Sequence, residues 1–145
     1  MYQHLLIATD GSELSDKALD HGIPLAKTLG AKLTIVTVTE PWHTFAAGDA
    51  TVAFPIDQYE ISVTKTAQQT LFKAASKADD ADVKCETVHK KDSYPADGII
   101  ETAKDKECDL IVMASHGRRG LTRMLLGSQA NHVVTHSTLP VLICR

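Results

Sequence analysis

The sequence predicts an α/β domain: an open, five-stranded parallel sheet, doubly wound, with helices on both faces. Two observations predict it. Short apolar, β-rich runs alternate five times with segments of helical period, the pattern of repeated strand–helix units. Several of those runs are apolar nearly throughout, as strands covered on both faces are. The length of 145 residues suits a single domain spanning 1–145, large enough to bury a core without disulfide or metal staples.

The elements follow in order. HLLIATD (4–10) is short, apolar and ends on polar residues, as a buried strand does. Segment 12–30 places Leu14, Ala18, Leu25 and Leu29 at helical spacing, with Ser12 suited to the N-cap and Gly30 to the C-terminal stop. Pro24 falls inside this helix and, lacking an amide donor, is expected to bend it. AKLTIVTVTE (31–40) is rich in β-branched residues and reads as the second strand. PWHTFAAGDATVAFPID (41–57) has no clear period, and connections of that length are often functional. Its Trp42 and Phe45 suit either a cover over a ligand or packing of the loop itself. A second helix is expected over 58–78, with an inward stripe of Ile61, Leu71, Phe72, Ala75 and Ala78. DVKCETVHK (82–90) alternates as a strand that points Val83, Cys85 and Thr87 one way. A short helix spans 94–107, with Pro95 acceptable in its first turn. CDLIVMAS (108–115) is the most apolar strand. A last helix over 128–137 turns Ala130, Val133 and Val134 inward, and LPVLICR (139–145) closes the chain as a strand whose Pro140 marks a sheet edge.

Composition narrows the function. A net charge of -3 gives no global argument for nucleic-acid binding. No apolar run approaches a bilayer-spanning length, and the first residues lack the features of a secretory signal. Cys85, Cys108 and Cys144 are odd in number and widely spaced, which fits reduced thiols in a cytoplasm and argues against a disulfide framework or zinc site.

In open parallel sheets ligands sit beyond the carboxyl ends of the strands, where the winding reverses. If the first and fourth strands are central neighbours, Asp10 meets the turn Ala114–Gly117 there. Asp10 suits a hydrogen bond from a ribose or a base amine, or simply the closing of its own turn. The stretch VMASHGRRGLTRMLLGSQANHVV (112–134) leaves the fourth strand, passes Gly117 and carries Arg118, Arg119 and Arg123 before Gly127 and Ser128 open a helix. Gly117 permits a positive φ and close approach, and a serine-capped helix N-terminus attracts anions. A phosphate cradle and an ordinary loop before a capped helix both fit these residues. Neither the P-loop nor the dinucleotide fingerprint is present.

From LLIATDGSELSDKAL through DLIVMASHGRRGLTRMLLGS to VLIC the chain resembles the universal stress protein family along its whole length. The nucleotide-binding branch of that family carries Gly, two residues, Gly, nine residues, then Gly-Ser or Gly-Thr. Here the second glycine is Gly117 and the final pair is Gly127-Ser128, while Ala114 replaces the first glycine. The resemblance implies an adenine nucleotide alpha hydrolase-like fold and a cytoplasmic stress-response protein that binds ATP. It implies Asp10 on the adenosine half, and Ala8, Thr9, Val38 and Met113 lining the base side. Gly117, Gly127, Ser128, the backbone of Gln129 and the adjoining Ala130 would hold the phosphates, with Mg2+ or Mn2+ on them. It also implies a homodimer through the last strand, 139–144. Arg118 and Arg119 are assigned to phosphate from charge alone, and His116 as a turn or ligand-contact residue.

The expected action is by binding. A slow ATPase at the same site is the alternative, but no nucleophile with a base and an acidic orienter is visible. A nucleotide-free dimerising module is a third reading, and Ala114 is its only support. His132 and His136 have the spacing of a zinc helix but Val133 stands where the metalloprotease pattern needs Glu, so no structural zinc is expected.

Overall fold

The computed structural model describes residues 1–43, 55–117 and 126–145. Among these, β1 (His4–Ala8), β2 (Lys32–Val38), β3 (Cys85–Lys90), β4 (Leu110–Ala114) and β5 (Val141–Cys144) form one sheet in the order β3-β2-β1-β4-β5. All four pairings are parallel. The helices are α1 (Glu13–Leu29), α2 (Ile56–Asp80), α3 (Pro95–Asp105) and α4 (Ser128–His136). From the central β1 the chain winds outward to β3, then crosses back to β4. The reversal lies between β1 and β4, as the sequence predicts for a doubly wound sheet.

Successive side chains of a strand face opposite ways, so each strand feeds two cores. Leu5, Ile7, Leu33, Ile35, Leu110 and Val112 meet Ala18, Ile23 and Ala26 of α1 and Leu71, Ala74 and Ala78 of α2. Leu6, Ala8, Val36, Ile111 and Met113 meet Ala96, Ile99 and Ala103 of α3 and Ala130 and Val133 of α4. Ile111 and Val112 are fully buried on opposite faces, and each contributes about 2 kcal/mol of transfer free energy.

The capping of α1 is as expected. Ser12 Oγ accepts the Ser15 amide at 3.2 Å, and Gly30 ends the helix at φ 62°. The inward face differs. It consists of Ser15, Ala18, Leu19, Gly22, Ile23 and Ala26, while Leu14 is exposed. Small residues are needed because α1 lies close on the sheet: a Cβ on Gly22 would stand 2.5 Å from Ile7 Cδ1. Pro24 sits on the exposed face of α1, which continues through it. In α2 the buried stripe is Tyr59, Ala67, Leu71, Ala74 and Ala78; Ile61 and Phe72 face outward, 71% and 76% exposed. Val134 likewise points away from the sheet. Leu14, Ile61, Phe72 and Val134, all expected inward, are exposed instead, because the helices turn neighbouring positions such as Ser15, Leu71 and Val133 toward the sheet. Thr87 is exposed because β3 is an edge strand. At the other edge, β5 follows Pro140 as predicted.

At the amino end of the central pair, Asp109 accepts the amides of Gln3 and His4 at 2.8 and 3.0 Å. Burial alone would raise this carboxyl, but those amides outweigh it and hold it below the ordinary range. At the carboxyl end of β3, His89 Nε2 pairs with Thr39 Oγ1 at 2.8 Å. Burial, and then the charge of Lys91, hold the His89 imidazole below its ordinary 6.5. The unfolded chain therefore binds a proton on this ring where the folded chain does not. The stability linked to it is complete above the ordinary value and declines as pH falls below it. Urea midpoints should drop between about pH 7.5 and about pH 5.5, and His89→Gln should remove part of that drop. Parallel pH profiles for the two proteins would count against the assignment.

Candidate functional site

The turn after β1 is built by its own polar groups. The Thr9 amide extends the sheet by donating to Val36 O at 3.0 Å. The buried Thr9 hydroxyl pairs with Ser15 Oγ at 3.0 Å and accepts the Gly11 amide at 3.2 Å. Asp10 Oδ1 accepts the Ser12 amide at 2.9 Å, an Asx turn. Gly11 takes φ 78°, a conformation that strains any residue with a Cβ.

The turn after β4 lies beside it. The Ser115 amide donates to Cys144 O of β5 at 2.8 Å, and Ser115 O accepts the Gly127 amide at 2.8 Å. Two expectations are corrected here. Gly117 does not take a positive φ; its role is spatial, because a Cβ there would stand 2.7 Å from Asp10 Oδ2. Ser128 is not the N-cap of α4. Gly127 holds that position at φ -60° and ψ 158°, with no side-chain cap, and Ser128 is the first helical residue. A Cβ on Gly127 would lie 3.0 Å from Ser115 O, so glycine is what lets this junction close.

The first hydrogen bond of α4 runs from the Asn131 amide to Gly127 O at 2.9 Å. The amides of Ser128, Gln129 and Ala130 precede it and have no partner within the helix. They are suited to an anion, aided by the positive end of the helix dipole. The Gln129 side chain is turned elsewhere: its Oε1 accepts the Ala96 amide at the start of α3, at 3.0 Å. Only its backbone amide is left to face an anion at this helix end.

The reversal thus brings Asp10, Ser115, His116, Gly117, Gly127, Ser128 and the Gln129 backbone to one end of β1 and β4. His116 Nδ1 pairs with Ser115 Oγ at 3.1 Å. Ala8, Met113, Ala114 and Ala130 are buried and form the floor beneath these groups. The Thr9 hydroxyl is engaged by the turn. Val38 is half-buried at the end of β2, close against α3, where a Cβ on Gly98 would approach Val38 Cγ1 to 2.8 Å. Arg118, Arg119, Arg123 and Phe45 lie outside the described residues. Sequence reasoning missed Gly11, Ser115 and Thr70. The Asp-Gly pair signals a turn, so Gly11 was within reach. Thr70 touches that turn from α2, far along the chain, and nothing local announces it.

A concavity of about 660 Å3 lies at the opposite end of the sheet among His4, Lys27, Gly30, Leu33, Asp82 and Cys85. The carboxyl ends of α1 and α2 flank it, so it has none of the orphan amides that favour a phosphate. Its rim is crossed by the Lys27–Asp82 pair at 3.5 Å. Among the described residues no helix is long and apolar enough to cross a membrane.

The profile of the Universal stress protein family matches residues 1–145. Universal stress protein YxiE of Bacillus subtilis is 39% identical, with 100% of each chain covered. Among solved structures, protein MJ0577 of Methanocaldococcus jannaschii superposes with a TM-score of 0.82 at 24% identity, covering 99% of this chain and 96% of that one. A universal stress protein solved in complex with cAMP superposes with a TM-score of 0.70 at 27% identity, covering 99% and 97%.

His132 and His136 stack at 4.1 Å on α4, and His132 Nε2 lies 3.1 Å from Asp97 Oδ1. Among the described residues no three potential ligands are grouped for a metal ion. With Val133 in place of the glutamate a zinc helix of this spacing needs, and with the three cysteines scattered, tag-free protein is expected to carry no stoichiometric zinc by plasma mass spectrometry, and one zinc per chain would refute this.

Proposed function

The chain belongs to the universal stress protein family, and on that premise we propose that it is a stress-response regulator that binds ATP or a related adenine nucleotide and acts through binding. The observation that supports this most is the meeting of Asp10, a Gly117 with no room for a Cβ, and the amino end of α4 at the reversal between β1 and β4. The cAMP complex of a structural relative supports an adenine nucleotide as the class of ligand.

In this reading the Asp10 carboxylate accepts from the ribose hydroxyls or the base amine. Ala8, Thr9, Val38 and Met113 back the base side. The phosphates lie over Gly117 and receive the amides of Ser128, Gln129 and Ala130. Ala114 is compatible because the close approach is made at Gly117. No carboxylate cluster is grouped among the described residues to hold a cation, so Mg2+ or Mn2+ would be carried by the phosphates and water.

The same reading includes a homodimer through 139–144. Its support is the edge position of β5, with Leu142 38% exposed and Val141 and Ile143 only half-buried. An unpaired apolar edge invites strand pairing.

The test is calorimetric titration with ATP and magnesium after bound nucleotide has been stripped. Wild type should bind. Gly117→Val should lose most of the affinity, since its side chain would displace the Asp10 carboxylate and fill the phosphate path. Ser128→Ala should cost at most about 1 kcal/mol, because the cradle is backbone. No binding by wild type at millimolar ATP would overturn the reading, and a folded Gly117→Val that binds normally would move the cradle elsewhere.

For the dimer, Val141→Asp should sediment as a monomer in analytical ultracentrifugation. A dimer that persists through this change and Leu142→Asp would refute β5 as the interface.

A further inference from the structure

The turn that carries Asp10 is walled on one side by a residue outside the candidate site. Gly11, at φ 78°, faces α2, and the space its Cβ would fill is taken by Thr70, with Oγ1 at 2.6 Å and Cγ2 at 3.2 Å. The wall is held firmly. Its neighbours Leu71 and Ala74 are buried in the core with α1. Lys73–Asp16 at 3.6 Å and Lys77–Asp20 at 2.5 Å add links between the two helices. On the far side of the turn, Gly117 lies against Asp10 Oδ2. The Asp10 turn is thus confined between α2 and the turn after β4.

Within the turn, the Gly11 amide donates to Thr9 Oγ1 at 3.2 Å and the Ser12 amide to Asp10 Oδ1 at 2.9 Å. These bonds shape the turn from inside, while Thr70 limits how far it can shift toward α2. Beside that contact lies a cleft of about 180 Å3 lined by Thr9, Gly11, Leu19, Thr70 and Lys73. This is room into which the turn can relax if the wall is removed.

We propose that Thr70 is a positioning residue for the nucleotide site: by its shape it holds the Gly11 turn against β4 and so fixes where Asp10 presents its carboxylate. This rests on the nucleotide reading above.

The experiment combines a ligand-dependent and a ligand-independent measurement on the full chain. Thr70→Ala should raise the dissociation constant for ATP about three- to tenfold, the range of coupling carried by residues that do not touch the ligand. Thr70→Val, which keeps the shape and loses the hydroxyl, should bind like wild type. In an Asp10→Ala background Thr70→Ala should cause no further loss, because it acts through Asp10. Hydrogen exchange at the Gly11 and Ser12 amides should speed up in Thr70→Ala while the exchange of core amides in β1 and β4 does not change. Equal losses with and without Asp10, or unaltered exchange at Gly11 and Ser12, would overturn the proposal. If stripped wild type binds no ATP, the nucleotide reading fails, and the exchange measurement alone decides whether Thr70 positions the turn. If Thr70→Ala does not fold, Thr70→Ser, which removes Cγ2 but keeps Oγ1, takes its place, with effects in the same direction and smaller.

Discussion

The parallel pairing of β1 with β4 is the constraint on which the rest depends. These strands are separated by most of the chain, yet they lie side by side at the centre of the sheet. Their pairing creates the reversal, and the reversal leaves a gap that no crossover helix covers. The pair is secured at both ends. At the amino end the Asp109 carboxylate takes two amides of the β1 entry. At the carboxyl end the Asp10 carboxylate occupies the place a side chain at position 117 would need. The first contact sets the register, and the second brings the two turns of the candidate site together.

Close approach, more than conformational freedom, explains the glycines around this site. Neither Gly117 nor Gly127 takes a positive φ, and both stand where a methyl group would strike a carboxylate or a carbonyl. Gly22 and Gly98 follow the same rule, one on the inward face of α1 against Ile7 and one on α3 against Val38. Interiors packed at this density transmit small displacements. The shape of the crevice is therefore set by contacts in the layer beneath it.

The sheet was legible because its signal is repeated. Five short apolar runs separated by helical spacing admit few other arrangements, and Ser12, Gly30 and Pro140 each mark a boundary through a local rule. The inward faces of the helices were less legible. Ile61, Phe72 and Val134 are apolar and fall near the right period, but which of two adjacent positions turns inward depends on how near the helix lies to the sheet. That distance is a property of the packed whole. Within the candidate site, the positions of Asp10, Gly117 and Gly127 could be read because spacing and strand ends place them. The cap at Gly127 in place of Ser128, the bond from Gln129 to α3 and the Thr70 contact could not, since each depends on a partner that local sequence does not reveal.

Both faces of the sheet are apolar, and this changes how the fold responds to altered chain length. In a sheet with one wet face, a slip of one residue puts polar groups in the core and is rejected at once. Here a slip in β1 would exchange Leu5 and Ile7 with Leu6 and Ala8, all of them buried. Hydrophobicity alone does not tell the two arrangements apart. What separates them is volume, with Ile7 fitted under Gly22, and the Asp109 clamp at the strand entry. A single-residue insertion in β1 is thus expected to give a compact, poorly ordered chain, while length changes in the exposed turn at Asp82, already at φ 59°, leave both cores intact.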